Sequence, residues 1–126
     1  MKWRGAMVIA GLCLPMAAHA QFSVPVAKPD PATLFARQCG TCHVASAKDE
    51  PRQGPNLWGV IGRKAGTYPG FKYSGAYAAS NITWSAETLD RYLTNPQAMI
   101  PGSVMAYRQA NPEIRAAIIG WLKEQH

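Results

Sequence analysis

Three cysteines in 126 residues are too few for a disulfide scaffold, and an odd count leaves at least one outside any intrachain pair. Charged side chains make up only 16% against 48% apolar, a balance that excludes a disordered chain. There is no internal repeat, no low-complexity tract and no strand pattern as strong as the helical ones below. No basic run is interleaved with aromatics, so the formal net charge of +6 gives no nucleic-acid reading. No constellation of side chains suggests acid–base or nucleophilic catalysis. What is abundant is punctuation. Ten prolines and eleven glycines imply many turns and short helices in one small domain.

The N-terminus is of a different kind. Lys2 and Arg4 precede an almost wholly apolar run from Gly5 to Leu14, and Ala18-His19-Ala20 follows. That order predicts a secretory signal peptide over residues 1–20, cut after Ala20. The apolar run is too short to span a bilayer. An uncleaved interfacial anchor is the alternative, and a lipoprotein reading through Cys13 is disfavoured by bulky Leu12. Removing 20 of the 126 residues leaves 106, and losing Lys2 and Arg4 takes the formal charge from +6 to +4. Cys13 leaves as well. Export predicts the periplasm, an oxidising compartment where free thiols are a liability.

Both remaining cysteines lie in Cys39-Gly40-Thr41-Cys42-His43, the spacing of c-type haem attachment. Two thiols three positions apart reach the two vinyl groups on one porphyrin edge, and the adjacent imidazole of His43 becomes the proximal iron ligand. A zinc half-site lacks partners, since only His126 remains. A redox dithiol has no use for His43. A covalent haem also supplies an apolar plate to a chain with a modest core, so the apo chain is expected to fold poorly.

Residues 21–29 read as an extended arm and 30–126 as the domain. Asp30-Pro31 is a cap followed by proline at the first helical position, which predicts a helix from Pro31 to Cys42 or His43, with Leu34 and Phe35 inward. Residues 44–83 are rich in glycine and proline and are expected to be looped, with a short helical piece near Gly75–Ala79. Ser85 starts another helix with stripe Leu89, Tyr92 and Leu93, ended by Asn95-Pro96. Asn111-Pro112 repeats the cap signal, with Ile114, Ile118, Trp121 and Leu122 at helical spacing to the end.

Several blocks in order resemble class I cytochrome c, in its mitochondrial-type, short-chain form found also in bacteria. After the haem motif come Gly54-Pro55-Asn56-Leu57, Gly62-Arg63-Lys64, Gly70-Phe71-Lys72-Tyr73-Ser74 and Ile82-Thr83-Trp84. Tyr92-Leu93-Thr94-Asn95-Pro96 then leads to Ile100-Pro101-Gly102-Ser103-Val104-Met105. The resemblance covers about Pro31 to Lys123. It implies an all-α cytochrome c fold of three main helices and long loops around one covalent haem c. By position it makes Met105 the distal iron ligand, a soft neutral thioether that raises the reduction potential; core packing is the plain alternative, and Met99 the rival. It gives Pro55 a carbonyl for the His43 imidazole. It gives Arg63, Tyr73, Trp84 and Ser103 the haem propionates, against plainer readings of Arg63 as a solvated charge and Trp84 as core. Tyr92 either hydrogen-bonds near Met105 or packs a helix face. Phe35 and Trp121 are expected to meet where the first and last helices cross.

Three features depart from the family. Pro31 stands where a small residue is usual at that crossing, with Gly120 beside Trp121 expected to relieve the crowding. Val104 replaces a lysine before the distal methionine. Only five lysines follow Ala20, so a dense lysine ring is not supported and weak electrostatic steering is expected. The resemblance implies a monomeric, exported one-electron carrier, not an enzyme, with no stable membrane insertion. Its partners would be a quinol-oxidising complex or dehydrogenase as donor and an oxidase or reductase as acceptor. A dedicated electron-accepting subunit of a periplasmic dehydrogenase is the alternative, followed by a peroxidase-like haem enzyme.

Overall fold

A computed structural model describes residues 27–126; the predicted signal peptide and residues 21–26 of the predicted arm lie outside them. Five helices follow in chain order: α1 (Pro31–Gln38), α2 (Gly75–Ala79), α3 (Ala86–Thr94), α4 (Pro96–Met99) and α5 (Pro112–Leu122). Among the described residues the only β pairing is one antiparallel bridge, Lys64 with Thr83. The architecture is all-α.

The helix starts follow from local chemistry. The Asp30 carboxylate accepts from the Thr33 backbone N–H at 3.0 Å, with Pro31 at the first position where no N–H is needed. Ser85 and Thr88 cap α3 reciprocally: Thr88 N–H donates to Ser85 Oγ at 3.1 Å, and Ser85 N–H to Thr88 Oγ1 at 2.7 Å. Asn111 Oδ1 accepts from Glu113 N–H at 2.9 Å and opens α5.

One boundary differs from expectation, and another also opens an added helix. α1 ends at Gln38, not at Cys42 or His43, because the N–H groups of Cys39 and Gly40 both close on the Phe35 carbonyl, at 2.8 and 3.1 Å. The haem motif therefore forms the turn after the helix. Asn95-Pro96 does end α3, but it also starts α4: the Asn95 N–H bonds back to Arg91, while its side chain caps Ala98 N–H at 3.2 Å.

α1 packs against α5, and α3 against both α4 and α5. Phe35 and Trp121 meet at the first crossing, ring centroids 4.5 Å apart. Their neighbours in the core are Leu34, Leu89, Tyr92, Leu93, Ile118, Ile119 and Leu122, joined by Val60, Ala65, Tyr77, Trp84 and Ile100 from the loops and shorter elements. Gly120 relieves no crowding. A Cβ there meets nothing within 4 Å, and Pro31 is exposed beside an open groove of about 370 Å³. Ile119 is more deeply buried than the half-buried Ile114 and Trp121, which turns the apolar face of α5 from the expected stripe.

Among the described residues Arg115 is the buried charge, 8% exposed. Its Nε meets Asp90 on α3 at 2.7 Å, and its Nη1 donates to the carbonyls of Gln109 and Ala110, each at 2.9 Å. That fork fastens α5 to α3 and to the loop before it.

Candidate functional site

The turn after α1 is closed by Cys42 N–H and His43 N–H, which both donate to the Cys39 carbonyl, at 3.0 and 2.9 Å. Cys39 and Cys42 form no disulfide with each other. Burial, with Cys42 alongside, pushes the Cys39 thiol up to about 11. A thiol so placed is a poor nucleophile on its own.

His43 is fixed by the loop that follows it. The Gly54 N–H donates to Cys42 O and the Leu57 N–H to Val44 O, both at 2.7 Å, laying residues 54–57 beside the motif. The Pro55 carbonyl then accepts from His43 Nδ1 at 2.8 Å. A proton on Nδ1 leaves Nε2 with the lone pair a metal needs. Burial lowers the His43 pKa below its usual range, the Pro55 bond opposing this in part, so the neutral ligand form is favoured. Gly54 makes room: a Cβ there would lie 2.2 Å from His43 Cε1. Asn56, 1% exposed, stiffens the same loop. Its Nδ2 donates to the carbonyls of Ser46 and Asp49 at 2.7 and 2.8 Å, and its Oδ1 accepts from Trp58 N–H at 2.9 Å.

Met105 is carried by the loop after α4. Ile100-Pro101-Gly102-Ser103 is a turn closed by Ser103 N–H on Ile100 O at 2.9 Å, with Gly102 at φ +90°, where a side chain would be strained. The Ser74 hydroxyl donates to the Gly102 carbonyl at 3.3 Å, and the Gln97 side-chain amide to the Ser103 carbonyl. Ser103 Oγ accepts from Met105 N–H at 3.3 Å. Met105 packs against the core, as does Cys39, and so does Met99 from the end of α4.

Ser103 and Tyr92 are joined by a residue that the sequence did not single out. Tyr77 Oη lies 2.8 Å from Tyr92 Oη and 2.7 Å from Ser103 Oγ, and Tyr92 Oη is 3.1 Å from Ser103 Oγ. Three buried hydroxyls thus satisfy one another beside the Met105 turn. Burial pushes the Tyr92 hydroxyl well above the usual tyrosine range, with the bond to Ser103 opposing. The sequence signal was weak: Tyr77 sits in a five-residue helix whose period cannot be read.

Arg63 and Trp84 share one stretch of paired backbone. Trp84 N–H donates to Arg63 O at 2.9 Å and Gly62 N–H to Trp84 O at 2.7 Å. Trp84 is 8% exposed and tilts against Tyr92, centroids 5.0 Å apart. Arg63 donates to Trp58 O at 3.0 Å and Asn56 O at 2.9 Å, and its guanidinium lies 4.9 Å from the Tyr68 ring centre. It is half-buried and not a freely solvated charge; burial lowers its pKa from the ordinary value, while Tyr73 and Tyr68 act the other way. Two of its five donors are used. The Tyr73 hydroxyl accepts from Tyr68 N–H at 3.2 Å, which leaves its own proton to donate.

The donor set suits a covalent porphyrin: two thiols and a tautomer-fixed imidazole at the end of α1, a thioether on a braced loop, and an arginine and a tyrosine with spare donors. Comparison with known proteins agrees. The family model described as Cytochrome c matches residues 30–126. Cytochrome c2 of Rhodomicrobium vannielii is 44% identical over 91 residues, which is 71% of this chain and 73% of that protein. Cytochrome c of Chlamydomonas reinhardtii is 42% identical over 92 residues, 72% of this chain and 82% of that one. Cytochrome c2 iso-2 of Magnetospirillum fulvum is 45% identical over 86 residues, 68% and 88%.

Proposed function

The chain belongs to the cytochrome c family, and from that membership we propose that it is an exported one-electron carrier whose iron is held between His43 and Met105. A monohaem carrier with covalent haem c, not an enzyme, is what the family establishes. The haem supplies an iron that changes charge by one electron without gaining or losing a ligand. The chain's own residues do the rest. Cys39 and Cys42 hold the group covalently. Pro55 holds the His43 proton at Nδ1, so that Nε2 would be offered to the iron as a neutral donor. Met105 would supply the second protein ligand. Arg63, Tyr73 and Trp84 would take the propionates, whose burial needs such donors; the Ser103 hydroxyl, already shared with Tyr77 and Tyr92, braces the Met105 turn instead.

The single observation that carries this reading is the 2.8 Å bond from His43 Nδ1 to the Pro55 carbonyl, in a loop that also needs Gly54 bare. It makes sense for an imidazole committed through Nε2. Docking would be transient and small. Among the described residues Ile61 and Val104 are the exposed large hydrophobics, which supports transient docking over the larger apolar interface of a dedicated subunit. Donor and acceptor are other redox proteins, reached from the periplasm after removal of residues 1–20. No helix among the described residues is long and apolar enough to cross a membrane.

The test is the visible and near-infrared spectrum of the ferric holoprotein. A low-spin spectrum with the methionine-to-iron charge-transfer band is expected, lost in Met105→Ala and kept in Met99→Ala. A high-spin spectrum, or loss of the band in Met99→Ala alone, overturns the ligation. Mass spectrometry of the purified protein should find Gln21 at its start.

A further inference from the structure

Gln38 is the last residue of α1 and stands directly before Cys39. Its side-chain carbonyl accepts from the Tyr107 hydroxyl at 2.9 Å and from Gln109 Nε2 at 3.4 Å. Gln109 Nε2 also reaches Tyr107 Oη at 3.2 Å. Tyr107 follows Met105 by two residues and packs on the core. Among the described residues these two bonds to Gln38 are the only hydrogen bonds between the segment bearing the haem motif and the loop of residues 101–111. That loop is pinned on its near side by the Ser103 hydroxyls. On its far side Gln109 N–H donates to Leu93 O at 2.8 Å, and Arg115 grips Gln109 O and Ala110 O. The span between, Val104 to Arg108, contains Met105, and among the described residues Tyr107 gives it its one side-chain hydrogen bond to the segment bearing the haem motif.

We infer that Gln38 is a positioning residue: it latches the Met105 loop to the end of the helix that carries Cys39, and so sets how readily Met105 leaves the iron. This rests on the ligation proposed above. One amide oxygen has two lone pairs and receives both donors, so a single substitution frees two bonds. All three side chains are uncharged, so the latch is not weakened by salt as a surface ion pair is. The motif side moves little, being tied through His43 and Pro55. Opening of the loop is the motion left for Gln38 to control.

The experiment mixes ferric holoprotein with imidazole and reads the limiting rate at saturating imidazole, which reports departure of Met105. Gln38→Leu is expected to raise that rate about tenfold, the effect of losing the net contribution of two neutral hydrogen bonds. Tyr107→Phe should raise it by a smaller factor, and the double variant no further than Gln38→Leu alone. Gln38→Glu, which keeps an acceptor oxygen, should stay within about twofold of wild type. Amide exchange at residues 104–108 should speed up in Gln38→Leu while the α3 and α5 amides keep their protection. The inference is overturned if Gln38→Leu leaves the limiting rate and the exchange unchanged in a protein that shows the methionine–iron band. It is equally overturned if the two single effects multiply. A wild-type protein without the band overturns the ligation first, and the latch with it.

Discussion

Replacing Gly54 by alanine puts a methyl group into the His43 ring. The added Cβ would stand 2.2 Å from Cε1, 2.6 Å from Nδ1 and 2.8 Å from Nε2, so it meets the ring and not one flexible tip. Contact becomes ordinary near 3.4 Å, so ring and backbone have to part by about 1.2 Å. Neither is free to go. The ring is held by Nδ1 on the Pro55 carbonyl at 2.8 Å, and the Gly54 backbone by its N–H on Cys42 O at 2.7 Å. Overpacking of a fixed site costs about 1–3 kcal/mol, and breaking the Nδ1 bond adds about 0.5–1.5 kcal/mol. Gly54→Ala should therefore destabilise the ferric holoprotein by about 2–4 kcal/mol in guanidinium unfolding. It should also perturb the spectrum, since the side chain that moves is the proposed proximal ligand. Gly120→Ala is the control. Its Cβ meets nothing within 4 Å, it lies in α5, and it should stabilise by about 0.5–1 kcal/mol through helix propensity alone. If Gly54→Ala unfolds within 0.5 kcal/mol of wild type (about the resolution of such a comparison) and keeps its spectrum, the argument for a packed, oriented imidazole is wrong.

The fold and the hydroxyl cluster give further tests. Arg115→Met should cost about 2–4 kcal/mol in denaturant unfolding, below the top of the range for a broken buried pair because the Asp90 side chain is 45% exposed and regains water; no loss would refute the clamp. Tyr92 is raised above the ordinary value of 10.0 by burial, so its contribution is full below pH 10 and is lost as pH rises toward the folded-state pKa, because the unfolded chain gives up that proton first. The fall of stability with pH above 10 should thus be shallower in Tyr92→Phe by up to about 1.4 kcal/mol per pH unit, and parallel slopes would contradict the buried-phenol reading.

What could be read in the sequence is what is local. Caps act over three residues, so Asp30, Ser85 and Asn111 announced their helices, and the Pro101-Gly102 turn announced the geometry before Met105. The haem motif is local too, and the order of the later blocks placed Pro55 against His43. The departures are also local. Asn95-Pro96 ends α3 as expected, since a proline ends the helix before it, and because an asparagine followed by proline is equally a start it opens α4 as well. The helix expected to reach Cys42 or His43 ends at Gln38. Gly40 permits the tight turn that follows, since a Cβ there would lie 2.4 Å from the Ala36 carbonyl oxygen, and a single glycine does not declare such an approach.

What could not be read is how the two halves of the site are held to each other. The bonds from Gln38 to Tyr107 and Gln109 cross 69 and 71 residues of chain, and no spacing rule connects an amide at a helix end to a phenol in a distant loop. Tyr77 to Ser103 crosses 26. Each of these residues is ordinary where it stands, and its use appears only when the fold has chosen its neighbour. The chemistry they have in common is informative. Hydroxyls and amides, not ions, close Ser103, Tyr92 and Tyr77 on one side of Met105, and Gln38, Tyr107 and Gln109 on the other. Arg115, the buried charge nearest this loop, is spent on its far end. Neutral partners satisfy burial without the desolvation cost of paired charges. The loop that carries Met105 is thus braced by neutral bonds on both sides, while its Val104 side chain stands 79% exposed.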